Sequence, residues 1–247
     1  MTSKTRTHNV LVIQPRLNSE IFLKEQAIII NITKNIDVTL TFVNPLLNDN
    51  KIQWSNPKNI LNTFGSTIWL GSGDIDLSQP KQAQKKYLNT TLRLAQMILA
   101  ENKPSLGICL GHQTLALAGG AKIARVNDRS ETGTTLLKFT TEGGRDAVFK
   151  SVPNPTPIVL SHKDSVINLP PDYTILGYTI RDPNSALRRG NIITMQGHPE
   201  ITETDDLRNK MASAPQHTLD GYVLTYPFID PGRTDLIIVN FLNCAIH

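Results

Sequence analysis

The first half of the sequence alternates apolar strand-like segments with stretches of helical period, and this order limits the fold more than any other feature. Asn9 to Gln14 (NVLVIQ) predicts a buried strand. Ser19-Glu20 then opens a stretch with apolar residues at helical spacing through Ile21, Ala27 and Ile28, although the β-branched run Ile28-Ile29-Ile30 also suits a strand. Val38 to Val43 (VTLTFV) alternates like a strand and stops at Asn44-Pro45, and Ser66 to Leu70 (STIWL) runs as a strand into Gly71-Ser72-Gly73-Asp74. From Gln82 to Asn102 the apolar residues recur with helical period until Lys103-Pro104. Strand, helix, strand, helix predicts an α/β fold, with a mostly parallel central sheet flanked by helices.

After Gly119-Gly120 the texture changes. Short strand-like pieces at Thr134 to Phe139, Ile158 to Leu160, Thr174 to Thr179 and Ile192 to Met195 are separated by turns rich in Pro, Asp and Asn. They predict a mixed or antiparallel extension of the sheet. Near the end, Pro231-Gly232-Arg233-Thr234-Asp235 precedes LIIVNFLNCAI, a capped helix packing back on the body in which Cys244 is expected to be buried as a neutral thiol. With 247 residues, 39% of them hydrophobic, and no internal repeat or linker, one domain over 1–247 is expected.

The charge pattern argues against nucleic acid. Net charge is +4, but the densest basic groups, Lys81 with Lys85 and Lys86, and Arg188-Arg189, have no interleaved aromatic residues for base stacking. No apolar run approaches the ~20 residues of a membrane span. The N-terminus MTSKTRTHNV lacks a signal-peptide core, and two distant cysteines make no disulfide framework, so a cytoplasmic protein is expected.

One of those cysteines stands where a strand turns directly into a helix. Gly107-Ile108-Cys109-Leu110-Gly111 has the form of a nucleophile elbow, in which the central residue is strained and small neighbours prevent clashes. The free N–H groups and positive dipole end of the following helix favour a thiolate and can donate to an oxyanion. A buried structural cysteine beside tightly packed glycines is the plainer alternative. The thiol needs a base. Of six histidines, His8 and His247 lie near the termini and His217 in a polar stretch, and all three are expected at the surface. His198 follows a strand, and an extended His198-Pro199-Glu200 puts both ionisable side chains on one side, where Glu200 can orient the imidazole.

LGICLGHQ and MQGHPE together resemble the motifs of the class I (triad) glutamine amidotransferases. Further segments agree in order: WLGSGD stands in place of the glycine-rich oxyanion loop, Ser130-Glu131-Thr132-Gly133 matches the Glu-x-Gly segment, and SHKDSV is similar to the SHxDxV segment of GMP-synthase-type glutaminases. The resemblance covers roughly residues 9 to 200, and within the family the chain looks like the stand-alone proteins related to the GMP synthase glutaminase domain. It implies a flavodoxin-like fold and a Cys109–His198–Glu200 triad acting on glutamine or another γ-glutamyl compound. It also implies oxyanion donors at Leu110 and Gly71, substrate contacts at Gly73, Gln113 and Ser161, and no cofactor or metal. Two departures stand out: the loop GSGD lacks the usual proline, and Lys163 replaces a common glycine.

Three readings follow. The first is a glutaminase supplying ammonia to a synthase or ligase partner, with any ATP-dependent step on another chain, because no G-x-x-x-x-G-K-[ST] loop is present and GSGDID lacks pyrophosphatase-loop spacing. The second is an autonomous γ-glutamyl hydrolase or peptidase. The third is non-catalytic: a binding or regulatory protein of the same fold, or a metal site built from Cys109, His112, His162 and His198.

Overall fold

A computed structural model describes residues 7–47, 51–79, 81–213, 218–219 and 222–246. In its first part, strands β1 (His8–Ile13), β2 (Val38–Val43), β3 (Ser66–Trp69) and β4 (Ser105–Ile108) are joined through helices α1 (Ser19–Thr33), α2 (Pro57–Thr63) and α3 (Gln82–Ala100). Helix α4 (Leu110–Ala118) follows β4, then come β5 (Lys122–Arg125), β6 (Glu131–Phe139), α5 (Thr141–Arg145), β7 (Thr156–His162) and β8 (Asp164–Ile167). The remainder holds β9 (Thr174–Tyr178), β10 (Ala186–Arg189), β11 (Ile192–Met195), α6 (Asp205–Ser213), β12 (Thr218–Leu219), β13 (Tyr222–Val223) and α7 (Leu236–Ile246).

The main sheet has nine strands in the order β2-β1-β3-β4-β11-β10-β9-β6-β7. The pairs from β2 across to β11 are parallel, and those from β11 to β7 are antiparallel. The expected parallel sheet with an antiparallel extension is therefore present. Ile192 to Met195 belongs to the parallel set, however, in register with Ser105 to Ile108. That pairing joins segments far apart in the chain, which periodicity within one segment cannot register.

Alternation along the buried strands serves two faces. Val10 and Val12 pack with Ile29 of α1 and with Ile237, Ile238, Phe241 and Leu242 of α7, while Leu11 and Ile13 pack with α2 and α3 through Ile60, Leu61, Leu94 and Ile98. Asn18 caps α1, accepting from the backbone N–H groups of Glu20 and Ile21, and the helix continues through the isoleucine run to Thr33. Helix α3 stops where Asn102 enters the left-handed region at φ 50°.

The second cysteine departs from expectation: Cys244 is exposed, not buried in the apolar helix. Phe241 and Leu242 fill the core-facing arc, and Ala245 takes the next inward position, so Cys244 falls at its edge in the last turn. His8 departs the other way. It is half-buried, with Nε2 2.9 Å from the Ser66 hydroxyl. His217 and His247 lie outside the described residues.

Candidate active site

At the carboxyl end of β4 the chain makes the turn that the glycines allow. Cys109 has φ 52° and ψ −105°, a left-handed conformation that strains a residue bearing a side chain. Two backbone bonds fix it: its N–H donates to Met195 O at 2.8 Å, and its carbonyl accepts from Gln113 N at 3.1 Å. The glycines on either side have no substitute. A Cβ on Gly107 would lie 2.7 Å from Gly111 O, and a Cβ on Gly111 only 2.3 Å from Trp69 O. The thiol is 6% exposed, with Sγ 3.9 Å from Ser161 O, and Leu110 begins α4 with a backbone N–H that has no intrahelical acceptor.

His198 comes to the same place from β11. Its N–H donates to Val159 O at 2.9 Å, and its carbonyl accepts from Ile201 N at 3.3 Å, so His198 to Ile201 is a turn where an extended segment was expected. The turn still joins the two side chains, with His198 Nδ1 2.7 Å from Glu200 Oε1. Burial pushes the imidazolium toward losing its proton, but the Glu200 carboxylate, then the charge and hydrogen bond of Cys109, hold His198 well above its ordinary value. Gly71 lies against both side chains: a Cβ there would meet His198 Cε1 at 2.8 Å and Cys109 Sγ at 3.5 Å.

Two cavities share the thiol. On the side of Leu110 and Gln113 lies a space of about 10 Å³, room for a single water. On the side of His198 is a chamber of about 170 Å³ that also reaches Gly73, Arg16 and Phe228. Ser161 lines both. Gln113 is committed to the protein, its Nε2 donating to Asp164 O at 2.8 Å and to Gln196 Oε1 at 3.0 Å, which leaves its carbonyl oxygen for any ligand.

Tyr222 also lines both cavities, as does Ser72. Lys163 Nζ sits 4.1 Å from the centre of the Tyr222 ring. Sequence reading missed Tyr222 because it lies beyond residue 200, in a polar stretch with no motif. It missed Arg16 and Glu25, in the chamber wall, for a similar reason: an Arg after a strand reads as surface. The lysine substitution in SHKDSV was the one visible signal of this wall.

The other singled-out groups have structural partners. His112 is fully buried, with Nδ1 2.8 Å from Thr194 Oγ1, and burial, then the charge of His162, pushes it down to about 3. His162 Nε2 is 3.5 Å from buried Glu131. Among the described residues, no three His, Cys, Asp or Glu side chains converge to hold a metal ion, and no helix is long and apolar enough to cross a membrane. Arg188 and Arg189 pair with Asp146 and Asp172, respectively.

Known proteins share the fold and stretches of the sequence. A GMP synthase (glutamine-hydrolysing) from Helicobacter pylori is 30% identical over 120 residues, 49% of this chain and 23% of that protein. A glutamine-hydrolysing GMP synthase subunit from Pyrococcus abyssi is 35% identical over 114 residues, covering 44% of this chain and 58% of that one. The match thus spans less than two thirds of either relative. A glutamine amidotransferase structure from Thermotoga maritima shares the fold with a TM-score of 0.68 at 17% identity, covering 98% of this chain and 99% of that one. The sequence model of the class-I glutamine amidotransferases matches residues 78–213, a span holding both the Cys109 elbow and the His198–Glu200 turn, and the chain belongs to that family.

Proposed function

We propose that this chain hydrolyses the side-chain amide of glutamine through a γ-glutamyl thioester on Cys109 and supplies the ammonia to a partner synthase. The observation that carries the reading is the elbow-borne thiol beside buried His198, whose imidazole meets the partly buried Glu200 carboxylate at 2.7 Å. In this reading the Cys109 thiolate attacks the γ-carbonyl carbon, and His198 protonates the leaving nitrogen as the C–N bond breaks. Water activated by His198 then hydrolyses the thioester, while Glu200 holds the imidazole. Backbone N–H groups of Leu110 and Gly71 stabilise the oxyanions, each contributing about 3 kcal/mol. Gln113 and Ser161 contact the glutamyl group, Gly73 lies on the chamber side of the thiol, and the chemistry requires no cofactor or metal. Residues 1–247 act as one glutamine amidotransferase domain in a reducing cytoplasm, without nucleic-acid or membrane partners.

The partner is a synthase or ligase chain of the kind that the GMP synthase relatives suggest. A space of about 10 Å³ on the Gln113 side does not admit a glutamyl chain until its wall shifts, so slow turnover is expected from the isolated protein. An autonomous γ-glutamyl hydrolase would use the same thioester, and the large chamber beside His198 is the observation that favours it.

The test is a glutamine-mimicking electrophile with mapping of the labelled peptide, alongside ammonia release from glutamine. Labelling at Cys109 is expected, with protection by glutamine. Because Cys244 is exposed, a general alkylating agent reaches it too, and only the recognition-dependent probe separates the two thiols. Equal labelling of both by the glutamine mimic would refute the reading.

A further inference from the structure

The chamber of about 170 Å³ is many times the size of the ammonia that glutamine releases, which is close to a single water. It lies on the side of the thiol lined by His198, whereas Leu110 and Gln113 line only the small cavity. A leaving nitrogen protonated by His198 therefore carries its substituent into this chamber. The walls have two characters. Val159 and Phe228 are buried, and Leu207 and Ile201 add further apolar surface. Against them stand the Arg16 guanidinium and the Glu25 carboxylate that pairs with it. Arg16 donates from Nε and Nη2 to the same oxygen of Glu25, at 2.9 Å from Nε, and among the described residues no acceptor meets Nη1. Its placement is fixed from behind, since Gln14 Nε2 donates to the other Glu25 oxygen at 2.6 Å and Asn44 Nδ2 donates to the Arg16 carbonyl at 2.6 Å. A guanidinium edge held rigid beside apolar walls suits a ligand with a carboxylate next to an apolar group.

We propose that the chamber is a leaving-group subsite for an amino acid with an apolar side chain, so that γ-glutamyl dipeptides are substrates of the Cys109 site. The proposal rests on the γ-glutamyl hydrolase form of the thioester reading above and adds the identity of the amine. Cys109 attacks the γ-carbonyl carbon, the γ-amide C–N bond breaks, and the departing amino acid takes its proton from His198. Its carboxylate sits on Arg16. Water then cleaves the thioester, so one dipeptide and one water yield glutamate and the free amino acid.

The test compares kcat/KM on the unmodified protein for γ-glutamyl-leucine, γ-glutamyl-glycine, γ-glutamyl-isopentylamide and glutamine. The glycine peptide lacks the apolar group and the amide lacks the carboxylate. About a tenfold or greater preference for γ-glutamyl-leucine over each is expected, and Arg16→Lys should collapse the preference over the isopentylamide. Binding to Cys109→Ala, measured by calorimetry, gives a readout independent of turnover, with γ-glutamyl-leucine bound about tenfold more tightly than glutamine. Glutamine hydrolysis without dipeptide preference would overturn the subsite and leave the glutaminase reading standing. Selective dipeptide binding with no hydrolysis of any compound would do the reverse. An Arg16→Lys variant that lost glutamine and dipeptide turnover equally would place the guanidinium on the glutamyl carboxylate instead, and would also overturn the subsite.

Discussion

Two walls enclose the Cys109 sulfur, and they are built by different means. The elbow wall is fixed by backbone: β4 lies between β3 and β11, Gly111 rests directly on the Trp69 carbonyl, and Cys109 N–H bonds to Met195 O. The opposite wall is made of side chains. Lys163 lies over Tyr222, which belongs to a two-stranded ribbon outside the main sheet. A strained φ persists only where its surroundings over-determine it, at a cost of about 1 to 3 kcal/mol. The rigid wall is thus where the nucleophile sits, and the side-chain wall is where the small cavity has to open.

The sharpest way to break this contrast is to add one carbon to the rigid wall. Gly111→Ala places a Cβ 2.3 Å from Trp69 O, and neither backbone has a flexible end that can retreat. We expect loss of all activity together with destabilisation of about 3 kcal/mol or more, the scale of severe overpacking. Thermal unfolding and glutaminase assays check both. A variant melting with the unmodified protein would show that the wall is not rigid.

The triad tests the same wall at the level of chemistry. Cys109→Ala should abolish turnover, His198→Ala should come close to it, and Glu200→Gln should leave measurable activity because it only weakens the hold on His198. Glu200 is also the largest influence raising His198, so Glu200→Gln should move the imidazole titration downward, as NMR would report. The sign for stability follows. A group raised on folding contributes stability that is fully present below the unfolded value near 6.5 and disappears as pH rises through the folded value. Glu200→Gln should therefore destabilise most at pH 6, by about 1 to 3 kcal/mol, since His198 can lose its proton rather than stay charged without a partner. The difference from the unmodified protein should shrink in alkali. A constant difference across pH would mean that Glu200 acts through packing.

How legible the two walls were in the sequence follows from how they are made. The rigid wall was readable because local constraints write it: alternation in NVLVIQ and STIWL, a helix with a clear period, and glycines at a spacing that only an elbow needs. His198 and Glu200 were found for the same reason, although the backbone between them turns. The side-chain wall brings together Arg16, Lys163, Tyr222 and Phe228, four positions spread over the chain with no shared motif. Their meeting joins the loop after β1, the end of β7 and the segment after α6, parts of the chain that local periodicity cannot bring into register. The exposure of Cys244 was lost in the same way, because a helix that is apolar nearly all round does not mark which edge leaves the core.

The smallest expected effect lies in the side-chain wall, and it decides whether that wall limits access. Lys163 holds the Tyr222 ring by a cation–π contact, an interaction of about 0.5 to 1 kcal/mol where it is partly exposed. Lys163→Met removes the charge and keeps the stem, so global stability should change by less than about 1 kcal/mol. If Tyr222 must shift before a glutamyl group enters the space beside Gln113, weakening its hold by that amount raises the open population about two- to fivefold. The rate of Cys109 labelling by the glutamine mimic should rise by the same factor, and KM for glutamine should fall with little change in kcat. Tyr222→Phe keeps the ring under Lys163 and serves as the control, with labelling close to that of the unmodified protein. An unchanged labelling rate in Lys163→Met, with the fold intact, would mean that the ring is held by packing alone and that Lys163 has no part in admitting the substrate.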